Sequence, residues 1–214
     1  MLAIINATLV MPDHYIPDAT IIVEDGKISD FGKKIKVPDG ANVIDAKGNY
    51  VGPGLIDIHT HADGTTYFHD DPVKCSQTLI DHGVTSVLPA LFYSMNKQEH
   101  LDAAKKIKAA IAEGKGKNIL GFYMEGPYLN PDFGCDKEKN MWKDSVDPND
   151  YAEVIDAVKD MAKVWCVAPE REGILEFVKD VKEAIPGIKA ITADEFHHEL
   201  SAAKSDVKVS ESIK

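Results

Sequence analysis

The sequence predicts an α/β protein: a partial (β/α) TIM-type barrel, about five of eight strand–helix units, preceded by a small N-terminal β-sandwich half. Residues 1–51 hold short β-type runs and no helical period. From Gly52 onward, apolar runs alternate with amphipathic helical stretches. Those runs are apolar along their length, as strands buried on both faces of a parallel sheet must be, and parallel neighbours need helical crossovers. The chain therefore divides into a β module over residues 1–51 and an incomplete barrel over residues 52–214.

In the β module, Leu2 to Val10 reads as a strand closed by Met11-Pro12-Asp13. Thr20 to Glu24 and Lys27 to Phe31 flank Asp25-Gly26, a pair that accepts the positive φ of a tight hairpin turn. Ala41 to Asp45 and Tyr50-Val51 complete the module. In the barrel segment, Leu55 to His59 is the opening strand, and a helix over 72–82 ends at His82-Gly83. Val84 to Leu91 follows as a strand. A helix over 97–113 sets Leu101, Ala104, Ile107, Ala110 and Ile111 at helical spacing and stops at Gly114. Ile119 to Met124 is the third strand, Asp150 to Ala162 a helix, and Val164 to Ala168 the fourth strand. Glu172 to Ala184 is a helix stopped by Pro186-Gly187, and Ile188 to Thr192 is the fifth strand. A polar segment runs on to Lys214.

Apolar residues make up 44% and charged residues 28% of the 214, the balance of a soluble globular protein. A net charge of -11 argues against nucleic acid and anionic membrane as partners. A small anionic ligand stays compatible, because a metal ion or a helix terminus can dominate the local field. Cys75, Cys135 and Cys166 are odd in number and widely spaced, which fits neither a disulfide framework nor a CxxC metal site but suits a reducing cytoplasm. Met1 to Met11 lacks a basic flank and reads as a strand, not a signal peptide. No run approaches the roughly 18 apolar residues of a membrane helix. A soluble, cytoplasmic protein is expected.

The chemistry begins at Asp57-Ile58-His59-Thr60-His61, which closes the first barrel strand. Alternate side chains of a strand share a face, so His59 and His61 point the same way and can meet one metal ion. An isolated pair at this spacing is more often a surface feature. Here it follows the turn Gly52-Pro53-Gly54 and a buried strand, and it precedes Ala62-Asp63-Gly64, where the chain leaves sharply. Met124-Glu125-Gly126-Pro127 places a carboxylate at the end of the third strand, pointing into the same mouth. A solvated or helix-capping glutamate is the competing reading. Two imidazoles and a carboxylate together make a borderline-hard site for a divalent ion such as zinc or iron. At Val167-Ala168-Pro169-Glu170, Pro169 is read as ending the fourth strand, and Glu170 as beginning the helix, where an acid suits the dipole. A site role for Glu170 is the second choice.

The run from Val51 to His61 resembles the opening barrel strand of the amidohydrolase superfamily. The preceding module, with Ile5-Asn6-Ala7, Val23-Glu24-Asp25-Gly26-Lys27-Ile28 and Val43-Ile44-Asp45, resembles the N-terminal sandwich half of that superfamily. Gly121 to Pro131 and Ala168-Pro169-Glu170 resemble the N-acetylglucosamine-6-phosphate deacetylases in particular, and the resemblance covers residues 1–188. It implies that His59, His61 and Glu125 hold one or two divalent ions. It also implies an amino-sugar phosphate as the small-molecule substrate, hydrolysed to glucosamine 6-phosphate and acetate.

The family further carries a histidine ending the fifth strand, another ending the sixth, and an aspartate general base ending the eighth. At the fifth-strand position this chain reads Ala193-Asp194-Glu195-Phe196-His197-His198. Asp194 stands nearest the expected ligand and is assigned as a hard-cation donor, while His197 and His198 read as a solvated helix start. The sixth to eighth strands have no counterpart, so no residue is assigned as the general base. The chain is read as truncated, with a missing C-terminal half or further copies of itself covering its open sheet edges. Two alternatives stay open: a non-catalytic, self-associating amidohydrolase fragment, and an amidohydrolase acting on cyclic amides. Against the latter stands Glu125, because those enzymes usually carry a modified lysine as metal bridge.

Overall fold

The computed structural model describes residues 1–133 and 136–191, with the side chains of Ala190 and Ile191 left aside. Two compact units divide at Gly54 and Leu55. In the first, β1 (Leu2–Val10), β2 (Tyr15–Glu24), β3 (Lys27–Lys33), β4 (Asn42–Asp45) and β5 (Tyr50–Val51) form one sheet. Its path is β3-β2-β1-β4, and β5 also pairs with β1. The β2–β3 hairpin turns through Asp25 and Gly26 at φ 49° and 75°, the left-handed pair that Asp-Gly accepts at little cost. Ala7, Leu9, Ala19 and Ile21 bury one small apolar cluster on this sheet.

The second unit runs β6 (Leu55–Thr60), α1 (Pro72–Asp81), β7 (Val84–Phe92), α2 (Lys97–Ala112), β8 (Phe122–Glu125), α3 (Pro148–Val158), β9 (Ala162–Cys166), α4 (Ile174–Ala184) and β10 (Lys189–Ile191). The strands pair in parallel in the order β10-β9-β8-β7-β6, so each unit of chain adds its strand beside the last. This is the partial barrel that the sequence predicts.

Helix starts are set by local chemistry. Asp71 caps α1 by accepting from the Lys74 amide at 2.9 Å. Asn96 and Glu99 form a reciprocal capping box at the start of α2. Asp147 caps α3 from the Asn149 amide at 2.9 Å, so this helix begins ahead of the predicted Asp150. It also ends earlier, at Val158, because a turn from the Met161 amide to the Val158 carbonyl breaks it and frees Ala162 for β9. The third strand is shorter than predicted: Ile119 makes one isolated bridge to Val87, and continuous pairing starts at Phe122.

The two faces of the parallel sheet are packed differently. Val87, Leu91, Phe122, Met124, Trp165 and Val167 join helix residues such as Ile107, Val154, Phe177 and Val181 in the main core. The alternating residues Leu88, Ala90, Tyr123 and Cys166 form a separate, smaller cluster on the opposite face. Gly121, just before β8, stands where a β-carbon would collide with the Met161 carbonyl oxygen and lie 2.6 Å from Lys163 Cγ. Beyond β8, Arg171 donates to the carbonyls of Leu129 at 3.1 Å and Trp142 at 2.7 Å, and so gathers the loop that follows Glu125. Among the described residues, no helix is long and apolar enough to cross a membrane.

Candidate metal centre

His59 lies near the end of β6, and His61 is the first residue past its final Thr60. The Asp57 carboxylate accepts the His59 amide at 3.1 Å, and the Thr60 hydroxyl accepts the Ala62 amide at 3.1 Å. Ala62 then takes φ 75°, which turns the chain away immediately after the histidine pair. Glu125 is the last residue of β8, followed by Gly126 at φ 104° and a cis Gly126–Pro127 peptide. In register it lies between Phe92 of β7 and Cys166 of β9.

The structure brings the three predicted ligands together. Glu125 Oε2 is 3.4 Å from His59 Nε2 and 3.1 Å from His61 Nε2. One ligand atom from each residue lies within 4.8 Å of the others, close enough to share one ion. Ligands at about 2.1 Å from a tetrahedral metal stand roughly 3.4 Å apart, so the donor set fits a borderline divalent cation. Burial pushes the Glu125 carboxyl up, but the hydrogen bonds and charges of His59 and His61 outweigh it and hold the pKa at about 2. Glu125 therefore offers an anionic donor at neutral pH.

Aromatic side chains frame the ligands. The His59 ring stacks on Tyr123, with centroids 4.1 Å apart and planes 9° apart. His61 meets Phe92 edge-on at 4.7 Å, and its buried Nδ1 has no partner among the described residues. The Tyr123 side chain packs against Cys166 in the small cluster on this face of the sheet. Burial raises the phenol pKa and pushes the thiol up to about 11, so both groups stay protonated at neutral pH. Cys75 and Cys166 are buried free thiols, and Cys135 lies outside the described residues.

Other predicted site residues fall elsewhere. Glu170 does not begin the helix as expected: α4 starts at Ile174 after Gly173, whose φ of 79° suits glycine, and Glu170 sits in the preceding turn. Its carboxylate accepts from Asn130 at 2.7 Å. Asp194, His197 and His198 lie outside the described residues. Sequence reasoning missed Tyr123 and Phe92, because an aromatic residue in a buried strand reads as core. Their period-two spacing from Glu125 and Ala90 was the available signal.

No family model matches the chain. A D-hydantoinase of Geobacillus stearothermophilus is 36% identical over 122 residues, 56% of this chain and 25% of that protein. An N-acetylglucosamine-6-phosphate deacetylase of Caenorhabditis elegans is 30% identical over 150 residues, 64% of this chain and 35% of that protein. The crystal structure of N-acetyl-D-glucosamine-6-phosphate deacetylase from Mycobacterium smegmatis superposes with a TM-score of 0.69 at 20% identity, covering 90% of this chain and 53% of that one. This chain has the fold of the amidohydrolase deacetylases. Its relatives in sequence and structure act on C–N amide bonds. The chain spans a quarter to about half of the length of these amidohydrolases.

Proposed function

We propose that this chain carries the metal-binding part of an amidohydrolase that removes the acetyl group from N-acetylglucosamine 6-phosphate, giving glucosamine 6-phosphate and acetate. The observation that carries this reading is the convergence of Glu125 with His59 and His61 at 3.1 and 3.4 Å, on the strand ends of a deacetylase-type fold. A divalent ion held there, zinc or iron by the chemistry of the donors, would supply Lewis-acid polarisation of an amide carbonyl and an acidified water. His59 and His61 would offer Nε2 to such an ion, and Glu125 would supply the negative charge that lets a cation leave bulk water. Tyr123 covers one side of the His59 ring, and Phe92 packs edge-on with His61. The general base of the reaction is assigned to none of the described residues.

A second reading, hydrolysis of a cyclic amide, is supported by the identity with the hydantoinase. Glu125 favours the deacetylase, because a carboxylate stands where the resemblance to cyclic-amide hydrolases calls for a modified lysine. Elemental analysis of the purified 214-residue chain is expected to find bound zinc or iron, and to find none in the His59→Ala/His61→Ala double variant. Unchanged metal content in that variant removes the centre. In side-by-side assays on N-acetylglucosamine 6-phosphate and a hydantoin, acetate release without ring opening supports the deacetylase reading. Ring opening without acetate release selects the cyclic-amide reading instead.

A further inference from the structure

We propose that Tyr123 is the positioning residue of this metal centre, its ring fixing the plane of the His59 imidazole and so the direction of Nε2 toward Glu125. This rests on the metal-binding reading above. A histidine side chain ends in a broad, roughly two-fold torsion, so nothing intrinsic holds its ring at one angle. At His59 the restraint comes from the side: the stacked phenol leaves the imidazole no room to rotate without losing a contact at 4.1 Å. Tyr123 itself is held fast. It is 3% exposed and packs with Leu88, Ala90 and Cys166, the last on the neighbouring strand.

Strand geometry makes this clamp part of the site. Tyr123 and Glu125 are two residues apart on β8 and therefore share its inner face. Cys166 pairs in register with Glu125. One four-residue strand thus delivers both the carboxylate and the surface that orients the opposing imidazole, so the two donors are set relative to each other by a single rigid piece of backbone. Groups that orient a histidine ligand commonly change metal affinity by about 10–100-fold when removed.

The test uses cobalt(II) as the probe on the full 214-residue chain, with affinity measured by chelator competition and coordination by the visible absorption spectrum. Tyr123→Phe keeps the ring and is expected to bind within about 3-fold of the parent, because the stacking surface is retained. Tyr123→Leu is expected to weaken cobalt about 10–100-fold and to alter the spectrum while the chain still melts cooperatively. Should Tyr123→Leu fail to fold, Tyr123→Met is read in the same way. The deciding comparison repeats the ring deletion in a His59→Ala background, where a residue acting through His59 has no further effect. Equal weakening in both backgrounds overturns the proposal, as does parental affinity and spectrum in Tyr123→Leu. A parent chain that takes up no cobalt at all overturns the metal centre itself, and the role of Tyr123 with it.

Discussion

The two faces of the parallel sheet carry different burdens. On the helix-covered face, side chains from five elements or more interlock, and Phe122, Met124, Leu91 and Trp165 are wholly or almost wholly buried. On the other face the packed cluster is small, and beside it lie His59, His61 and Glu125, with Tyr123 belonging to the cluster and touching His59. Neighbouring residues of β8 alternate between these tasks: Phe122 and Met124 serve the core, Tyr123 and Glu125 the centre. Stability and chemistry are thus separated by one residue of register, with the period of the strand as the divider.

The sharpest way to probe that division is a matched pair of truncations on β7. Leu91→Ala empties a fully buried site in the main core and is expected to cost roughly 4–5 kcal/mol in denaturant unfolding. Leu88→Ala, on the thinly packed face, is expected to cost roughly 2–3 kcal/mol, because fewer neighbours lose contact. Equal losses would erase the distinction between the faces.

Acid probes the same core through α2. His100 is 0% exposed, its Nδ1 lies 3.0 Å from the Asn96 carbonyl, and its Nε2 has no partner among the described residues. Burial lowers its pKa from 6.5 to about 4, outweighing the Asn96 carbonyl and the Glu99 charge, which raise it, while His69 lowers it further. Between those values the unfolded chain binds the extra proton, so stability falls as pH drops from 6.5 toward 4 and is unaffected by this group above that window. The full loss is on the order of 3 kcal/mol. Chemical unfolding at a series of pH values is expected to show it, and His100→Leu is expected to flatten the slope. An unchanged slope in that variant would place the acid sensitivity elsewhere. The smallest effect is at the rim of the helix layer, where Asn96→Ala removes one half of a capping box and is expected to lower the unfolding free energy by about 1 kcal/mol in denaturant titration.

The convergence of His59, His61 and Glu125 was legible from sequence because a two-residue period sets both histidines on one side of β6 and because Gly126-Pro127 ends β8 right after Glu125. The strand–helix alternation was equally plain, since each apolar run is bounded by Gly, Pro or a capping residue. What sequence concealed was burial that runs against residue type. Apolar spacing on α2 selects Leu101 and Ile111, yet these are partly exposed, and the buried face turns instead through His100 and Ala103. A neutral imidazole that hands its proton to a carbonyl one turn back packs like a hydrocarbon, and no pattern of apolar letters reports that. The start of β9 was hidden for a related reason: Met161 and Ala162 suit a helix as well as a strand, and the turn back to Val158 decides between them. Tyr123 was invisible as a site residue because its significance lies in what stacks on it, a contact 64 positions away in the chain.

Gly121 shows where the accuracy of such a centre originates. It carries no functional group, yet its bare α-carbon lets the backbone at Met161 come close enough for the first hydrogen bond of β8, from the Phe122 amide at 3.0 Å. Because Glu125 stands only four residues downstream, a wedge at that point would shift the carboxylate bodily along or away from the imidazoles. The tolerance of this three-residue cluster is therefore written upstream of it, in a hydrogen atom where every other amino acid would bring carbon.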